Sequence, residues 1–556
     1  MRRLRNLVEE MAIASSVPVP EIYLLKEELG INAFVAGYSP SDAVLAVTRG
    51  CLEHLSRDEL QGVIGHEFSH LLNGDMRLNI RLLGWQHGLL MVGQLGLKMT
   101  ERVSGGKGES RPPSKMALVG FALCVLGFIG QFIALLIQAA ISRSREYLAD
   151  ASAVQFTRQS EGIAGALKKI AALPVGSQLY ASNRTAITHM TFNDSGASWF
   201  DTHPPLLERI RRLDPHFSES ELEALAESLS KRRVVSMMAR TTGVPSYPSA
   251  DQLIQPPAPA SSLMLEPKDV ISYIGAADQL ALDEAVVLLA TLPEALREGI
   301  CSIEAAKAIA LWLSLSEDPL LRLKHAQKLN DHLSVNEQAL LERFKPLLQS
   351  LHPLHRLPVA QLAFPWLRRL PQPELKRFLS LLRSLVQDEA ETSIYAYCLG
   401  RLLQLQVVDA LDPARAYAHQ RLKLLQCEQS ITDLFSILAQ HIHSNEQEAK
   451  VAFLEATAIV LPGHALKYRF CPSWRSVLDR ALLQLNQLIP TGKRVIIDGV
   501  VAAISLDGRL AAQESELLIV ICAALRCPLP LFPGAPRLGD QAFEKTEALA
   551  HGAQLL

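Results

Sequence analysis

The longest apolar run is Met116 to Ser142, 27 consecutive uncharged residues between Lys115 and Arg143. An α-helix needs roughly 20 residues to cross a bilayer core, so this run predicts a transmembrane helix in preference to a buried core helix. A second run, Leu82 to Leu97, has 16 uncharged residues but includes Gln86, His87 and Gln94. A short span, a re-entrant piece and an amphipathic surface helix all fit it. Between the two, the Gly- and Pro-bearing residues 105–113 predict a loop. Upstream, Leu60, Val63, Ile64, Leu71 and Leu72 repeat at helical spacing. Ser56 and Glu59 supply a capping box for that helix and Asn73-Gly74 a stop. A Pro/Ser/Ala-rich segment at 241–262 predicts a linker, and residues 263–556 are Leu/Ala-rich helical pattern broken by short Pro, Gly or Asn-Asp punctuation. The expected class is mainly α. It comprises an α+β domain over 1–240, with membrane segments near 82–97 and 116–142, followed by an all-helical domain.

Composition narrows the partners. Lys and Arg total 55 against 57 Asp and Glu, so no basic excess is present to hold a nucleic-acid backbone. With 49% hydrophobic and 20% charged residues, wholesale disorder is excluded. The mean hydropathy of +0.14 agrees with lipid contact. The eight cysteines form no Cys-x-x-Cys pair, which argues against a disulfide framework or thiolate zinc site and for a reducing compartment. Met1 to Arg5 is basic, but Asn6 to Glu10 follow in place of an apolar core, so no signal peptide is expected. Basic residues flank both apolar runs on both sides, from Arg77 and Arg81 through Lys98 and Arg102 to Arg143 and Arg145, and leave orientation open.

The chemistry centres on His66-Glu67-Phe68-Ser69-His70. Residues four apart share a helix face, so His66 and His70 can present two imidazole nitrogens to one metal ion. Glu67 lies about 100° round the helix, where a general base for a metal-activated water belongs. The competing reading is an ordinary amphipathic helix with two solvated or core histidines. Two histidines leave a zinc site short of a ligand, and Asn73 and Met76 close the route in which a third histidine follows on the same segment. The candidate third ligand is Glu146, just past the long apolar run, with Asp150 one turn later as a support for a ligand histidine. A solvated polar face shared with Arg143 and Arg145 is the alternative for that pair. Thr202-His203-Pro204-Pro205 opens another helix, and an exposed His203 and Arg209 near the metal could stabilise an oxyanion. A capped surface helix serves equally well as a reading.

Taken in order, these motifs resemble a known family. Asn32-Ala33-Phe34, Ala46-Val47-Thr48-Arg49-Gly50, Asp58-Glu59-Leu60, the His-Glu-x-x-His helix with Asp75 after it, Arg145-Glu146-Tyr147-Leu148-Ala149-Asp150 and Thr202-His203-Pro204-Pro205 match the HtpX-like branch of membrane zinc metallopeptidases, which is related to the CAAX prenyl proteases. The resemblance spans residues 1 to about 215. It implies a zinc endopeptidase of the gluzincin type with one Zn²⁺ held by His66, His70 and Glu146 and water activated by Glu67. Asp150 and Asp75 would support the ligands, and His203 and Arg209 would sit at the mouth. It also implies an edge strand that pairs with an extended polypeptide substrate, for which Ala43 to Thr48 has the β-rich character. Misfolded or damaged membrane proteins are the implied substrates, and a bacterial inner membrane with a cytosolic active site the implied setting. The family usually carries hydrophobic spans ahead of these motifs, whereas Met1 here falls almost directly before them.

The family core ends near residue 215–240, so the C-terminal half is an addition. Ile504 to Glu514 offers Ser505, Asp507, Gly508 and Glu514 at calcium-loop positions, but Ala503 stands where the first Asp belongs. A helix–turn–helix joint fits better, and it loosely resembles TerB-like helical domains, with a weaker echo at Phe378 to Leu403. Such a domain on a linker could recruit substrates or adaptors as protein partners, or regulate access to the site. The alternative for the whole chain is a catalytically silent scaffold working through residues 263–556. A transporter is disfavoured, since the firm span carries no intramembrane charge.

Overall fold

The computed structural model describes residues 1–104, 115–173, 203–229, 279–315, 319–349, 353–387, 394–412, 422–443, 445–504, 512–527 and 529. The expected loop at 105–113, Thr202, the linker at 241–262, residues 388–393 of the Phe378–Leu403 echo and the expected turn at 505–511 lie outside them. The described chain is mostly helical with one small sheet. It divides into two compact units, one of residues 1–5 and 21–246 and the other of residues 6–20 and 247–556.

The first unit carries the sheet: β1 (Glu21–Leu25), β2 (Ala33–Ala36) and β3 (Val44–Thr48), in the order β1-β3-β2. β1 runs parallel to β3, and β2 antiparallel, with Val35 opposite Leu45. The expected edge strand at Ala43–Thr48 is therefore the central one, and β2 is an edge. Burial explains the difference. Leu45, Ala46 and Val47 are successive buried residues covered on both faces, whereas β2 alternates buried and half-buried positions.

Helices then follow: α1 (Arg2–Ala14) ahead of the sheet, and after it α2 (Arg49–His54), α3 (Arg57–Asn73), α4 (Asp75–Ser104), α5 (Lys115–Thr157), α6 (Ser160–Ala172) and α7 (Leu206–Leu213). α3 begins with the expected capping box of Ser56 and Glu59 and ends at Gly74, whose φ of 70° is the left-handed conformation glycine adopts without strain. The second apolar run forms part of the 30-residue α4, and this helix lies along α5. Glycines make the approach close: a Cβ at Gly127 would meet Gly93 N at 2.2 Å, and one at Gly96 would meet Cys124 N at 2.5 Å. Gln86 donates to Gln138 across the pair, so both buried amides are satisfied. Among the described residues one helix, α5, is long and apolar enough to cross a membrane, and its apolar window is only 11% buried. Leu118, Phe121, Leu126 and Ile129 face outward, which a soluble core helix would not permit.

The second unit is helical: α8 (Gln279–Thr291), α9 (Glu294–Gly299), α10 (Ile303–Leu313), α11 (Pro319–His332), α12 (Val335–Gln349), α13 (Pro353–Leu367), α14 (Gln372–Gln387), α15 (Ile394–Leu411), α16 (Glu428–Ile442), α17 (Glu446–Val460), α18 (Trp474–Leu485), α19 (Pro490–Ile504) and α20 (Ala512–Ala524). It also takes in residues 6–20, most of α1, which the sequence pattern had grouped with the domain over 1–240. Glu9 of that segment pairs with Arg297 at 3.2 Å, a contact 288 residues apart that no local pattern announces.

Candidate metal centre

The capping box and the Gly74 stop hold α3 in register, and with it His66 and His70, four residues apart on one face. Their Nε2 atoms are 3.2 Å apart. α5 brings Glu146 to them, with Oε2 3.6 Å from His66 Nε2 and Oε1 3.6 Å from His70 Nε2. Tetrahedral donors at 2.0–2.2 Å from a zinc ion stand roughly 3.3–3.6 Å from one another, so the three groups fit such an ion.

The outer contacts aim those donors. His70 Nδ1 donates to Asp75 Oδ2 at 2.9 Å, and His66 Nδ1 lies 3.0 Å from Asp150 Oδ1. Each carboxylate favours a proton on Nδ1 and leaves the Nε2 lone pair for a metal. Asp75 in turn meets Arg145 at 3.3 Å. Burial alone would lower the His66 pKa, but the Asp150 and Glu146 carboxylates push it up to about 9. The same carboxylates make the field at the three donors negative.

Arg209 departs from its expected place at the mouth. It is fully buried, because α7 packs against α6 and α5 and turns its guanidinium inward. There Nε and Nη2 donate to Asp150 at 2.8 and 2.7 Å, and Nη1 lies 3.0 Å from Glu146 Oε2. Although burial opposes the charged form, His203 and Arg209 hold the Glu146 carboxyl well below its ordinary range, and Arg209 lowers that of Asp150. Sequence spacing carried no sign of this fork. The eight-residue α7 does bury Ile210 beside Arg209, and the apolar neighbour is the one local hint of an inward face.

His203 lies beside the donors and lines the cavity, but its side chain is 10% exposed where an exposed one was expected. Its Nδ1 is 3.2 Å from Glu146 Oε1, and its buried Nε2 has no hydrogen-bond partner among the described residues. Glu67 is 5% exposed, its Oε2 accepting from the Val35 N–H at 3.0 Å. Burial pushes its carboxyl above the ordinary value, towards the range a general base works in. The bond to Val35 fixes Glu67 to β2 and was not evident from sequence. A cavity of about 380 Å³ opens here, with residues 33–38 along one wall and Met76, Asn79 and Ile80 of α4 along another.

Residues 1–216 match the model of Peptidase family M48. Similar proteins include the protease HtpX homologs of Streptococcus uberis, 37% identical over 212 residues that make up 37% of this chain and 71% of that protein, and of Dictyoglomus turgidum, 38% identical over 38% of this chain and 68% of that protein. The homolog of Pediococcus pentosaceus is 37% identical over 226 residues, 72% of its length. No solved structure gives a significant match.

Proposed function

Because the chain belongs to peptidase family M48 and is a membrane metallopeptidase, we propose that it hydrolyses peptide bonds with a zinc ion held by His66, His70 and Glu146. The observation that carries this reading is the convergence of those three donors at 3.2–3.6 Å, with Glu67 beside them in the cavity. Neutral imidazoles and a carboxylate favour zinc among the common divalent ions. When bound, the ion supplies Lewis acidity to the scissile carbonyl.

This chain's own residues do the rest. Glu67 takes a proton from the attacking water and returns it to the leaving amine. His203 Nε2, which has no partner among the described residues, donates to the oxygen that gains charge as the carbonyl is attacked. The edge strand β2, which lines the cavity, pairs with an extended substrate backbone. Arg209 acts at one remove, fixing Glu146 and Asp150. Support for a catalytic role over a silent scaffold comes from the complete set: base, three donors and their carboxylate partners.

The substrate class we infer is misfolded or damaged membrane protein. Glu146 follows the apolar run by four residues, a rise of roughly 6 Å along α5, and Asp75 opens α4, whose apolar run begins at Leu82. The cavity thus stands close to the bilayer surface, with Ile80, 44% exposed, on its rim. We read α4 and α5 as a membrane hairpin in a bacterial inner membrane, the site facing the cytosol; the free thiols of Cys51, Cys124, Cys427, Cys471, Cys522 and Cys527 suit that reducing side. The test is metal removal. Chelation should abolish cleavage of an unfolded protein by detergent-purified enzyme, and one equivalent of zinc should restore it. Cleavage that survives chelation would contradict the reading.

A further inference from the structure

In the second unit, α14, α15 and the start of α18 enclose a cavity of about 520 Å³. It lies outside the segment that matches the peptidase family. Three guanidiniums line it, one from each helix: Arg383, Arg401 and Arg475. Among the described residues Asp479 is the one carboxylate in the lining, against three guanidiniums, an excess of two positive charges. That carboxylate is already engaged, by Arg401 Nε at 3.2 Å and by the Tyr397 hydroxyl, which donates to it at 2.9 Å.

The wall is set in advance. Tyr397 and Trp474 are 5% and 7% exposed and meet edge to face at 5.1 Å between centroids, while Arg475 stacks over the indole at 5.1 Å. The 12-residue α18 begins at this wall. Its N-cap Ser473 makes no side-chain cap, and its first turn holds no acidic residue. The N–H groups and dipole of a helix start therefore add to the positive field there. Ser473 and Ser476 bring hydroxyls to the same lining.

We propose that this cavity binds the phosphoryl group of a small soluble phosphate ester or pyrophosphate, seated among Arg383, Arg401 and Arg475. A phosphoryl group carries about −1.5 to −2 charge at pH 7, which matches the excess in the lining, whereas a carboxylate supplies one unit. Its oxygens suit the planar forks of guanidiniums arriving from different directions. The volume exceeds that of a lone phosphate and falls within the roughly 300–1,000 Å³ of small-molecule sites, so the group arrives on a larger body.

Titration calorimetry on the full-length protein in detergent, at constant ionic strength, tests this with pyrophosphate, glycerol phosphate, citrate and short-chain phosphatidic acid as probes. Saturable binding of pyrophosphate or glycerol phosphate below about 1 mM is expected. Arg475→Gln and, separately, Ser476→Glu should each weaken it by about tenfold or more, the loss of one charge-assisted contact or the addition of a repelling charge. Ser476→Glu keeps the test decisive should Arg475→Gln fail to fold, because an acid in the first turn of a helix is stabilising. Absence of saturable binding, equal binding of citrate, binding of phosphatidic acid alone, or full affinity in a folded Ser476→Glu variant would overturn the proposal.

Discussion

Removing the guanidinium of Arg209 would leave two buried carboxylates, Glu146 and Asp150, without their shared cation. Uncompensated buried charge costs about 3–5 kcal/mol, so Arg209→Ala should unfold at a clearly lower temperature in thermal melts. Arg209→Lys keeps the charge but loses the fork, and zinc affinity should fall by about 10–100-fold while the fold survives. Competition with a chromogenic chelator measures that affinity; wild-type values in Arg209→Lys would contradict the positioning role. Asp75→Asn should likewise weaken zinc about 10–100-fold, because the His70 tautomer is no longer fixed. The difference between what was readable and what was not is one of range. His66, Glu67 and His70 share one helix face by local spacing, and Glu146 with Asp150 repeat that rule on α5. The Arg209–Asp150 fork joins residues 59 apart, and whether an arginine turns inward depends on how α7 packs.

Gly127 marks where α4 and α5 touch, and a side chain there has no room. Its Cβ would stand 2.2 Å from Gly93 N, backbone that cannot rotate away, whereas a Cβ at Gly84 meets nothing within 4 Å. Gly127→Val should destabilise by about 1–3 kcal/mol through overpacking, and Gly84→Ala, inside a helix with room for a Cβ, should keep or raise the melting temperature in detergent. Equal melting of the two variants would argue against the close helix pair. Element existence was legible in the 27-residue apolar run, the capping box and the Gly74 stop. Strand order was not: Ala43–Thr48 reads as a strand from composition, but its central place depends on β1 and β2 both pairing with it. The role of lining the cavity therefore belongs to Ala33–Ala36, where Val35 also holds Glu67.

At the scale of the whole chain, residues 6–20 group with the C-terminal unit although they precede the peptidase motifs. Leu7, Val8 and Met11 of that segment are buried. A fragment ending at residue 246 would lose the Glu9–Arg297 pair and the rest of the unit to which residues 6–20 belong, so it should melt below the full chain and aggregate more readily. Equal stability in light scattering and thermal melts would contradict that. The helix-rich character of the described residues beyond 279 was plain from Leu/Ala periodicity, yet the partition of α1 rests on non-local contacts such as Glu9–Arg297. The central chemical claim is that Glu67 is the base beside a metal held by His66, His70 and Glu146. Comparing wild type with Glu67→Gln for cleavage of an unfolded protein, with zinc content measured on the same samples, tests it most directly. The substitution keeps the shape and removes the base, so activity should drop by about 10²-fold or more with one zinc per chain retained. Equal cleavage by the two proteins at equal zinc content would contradict the mechanism.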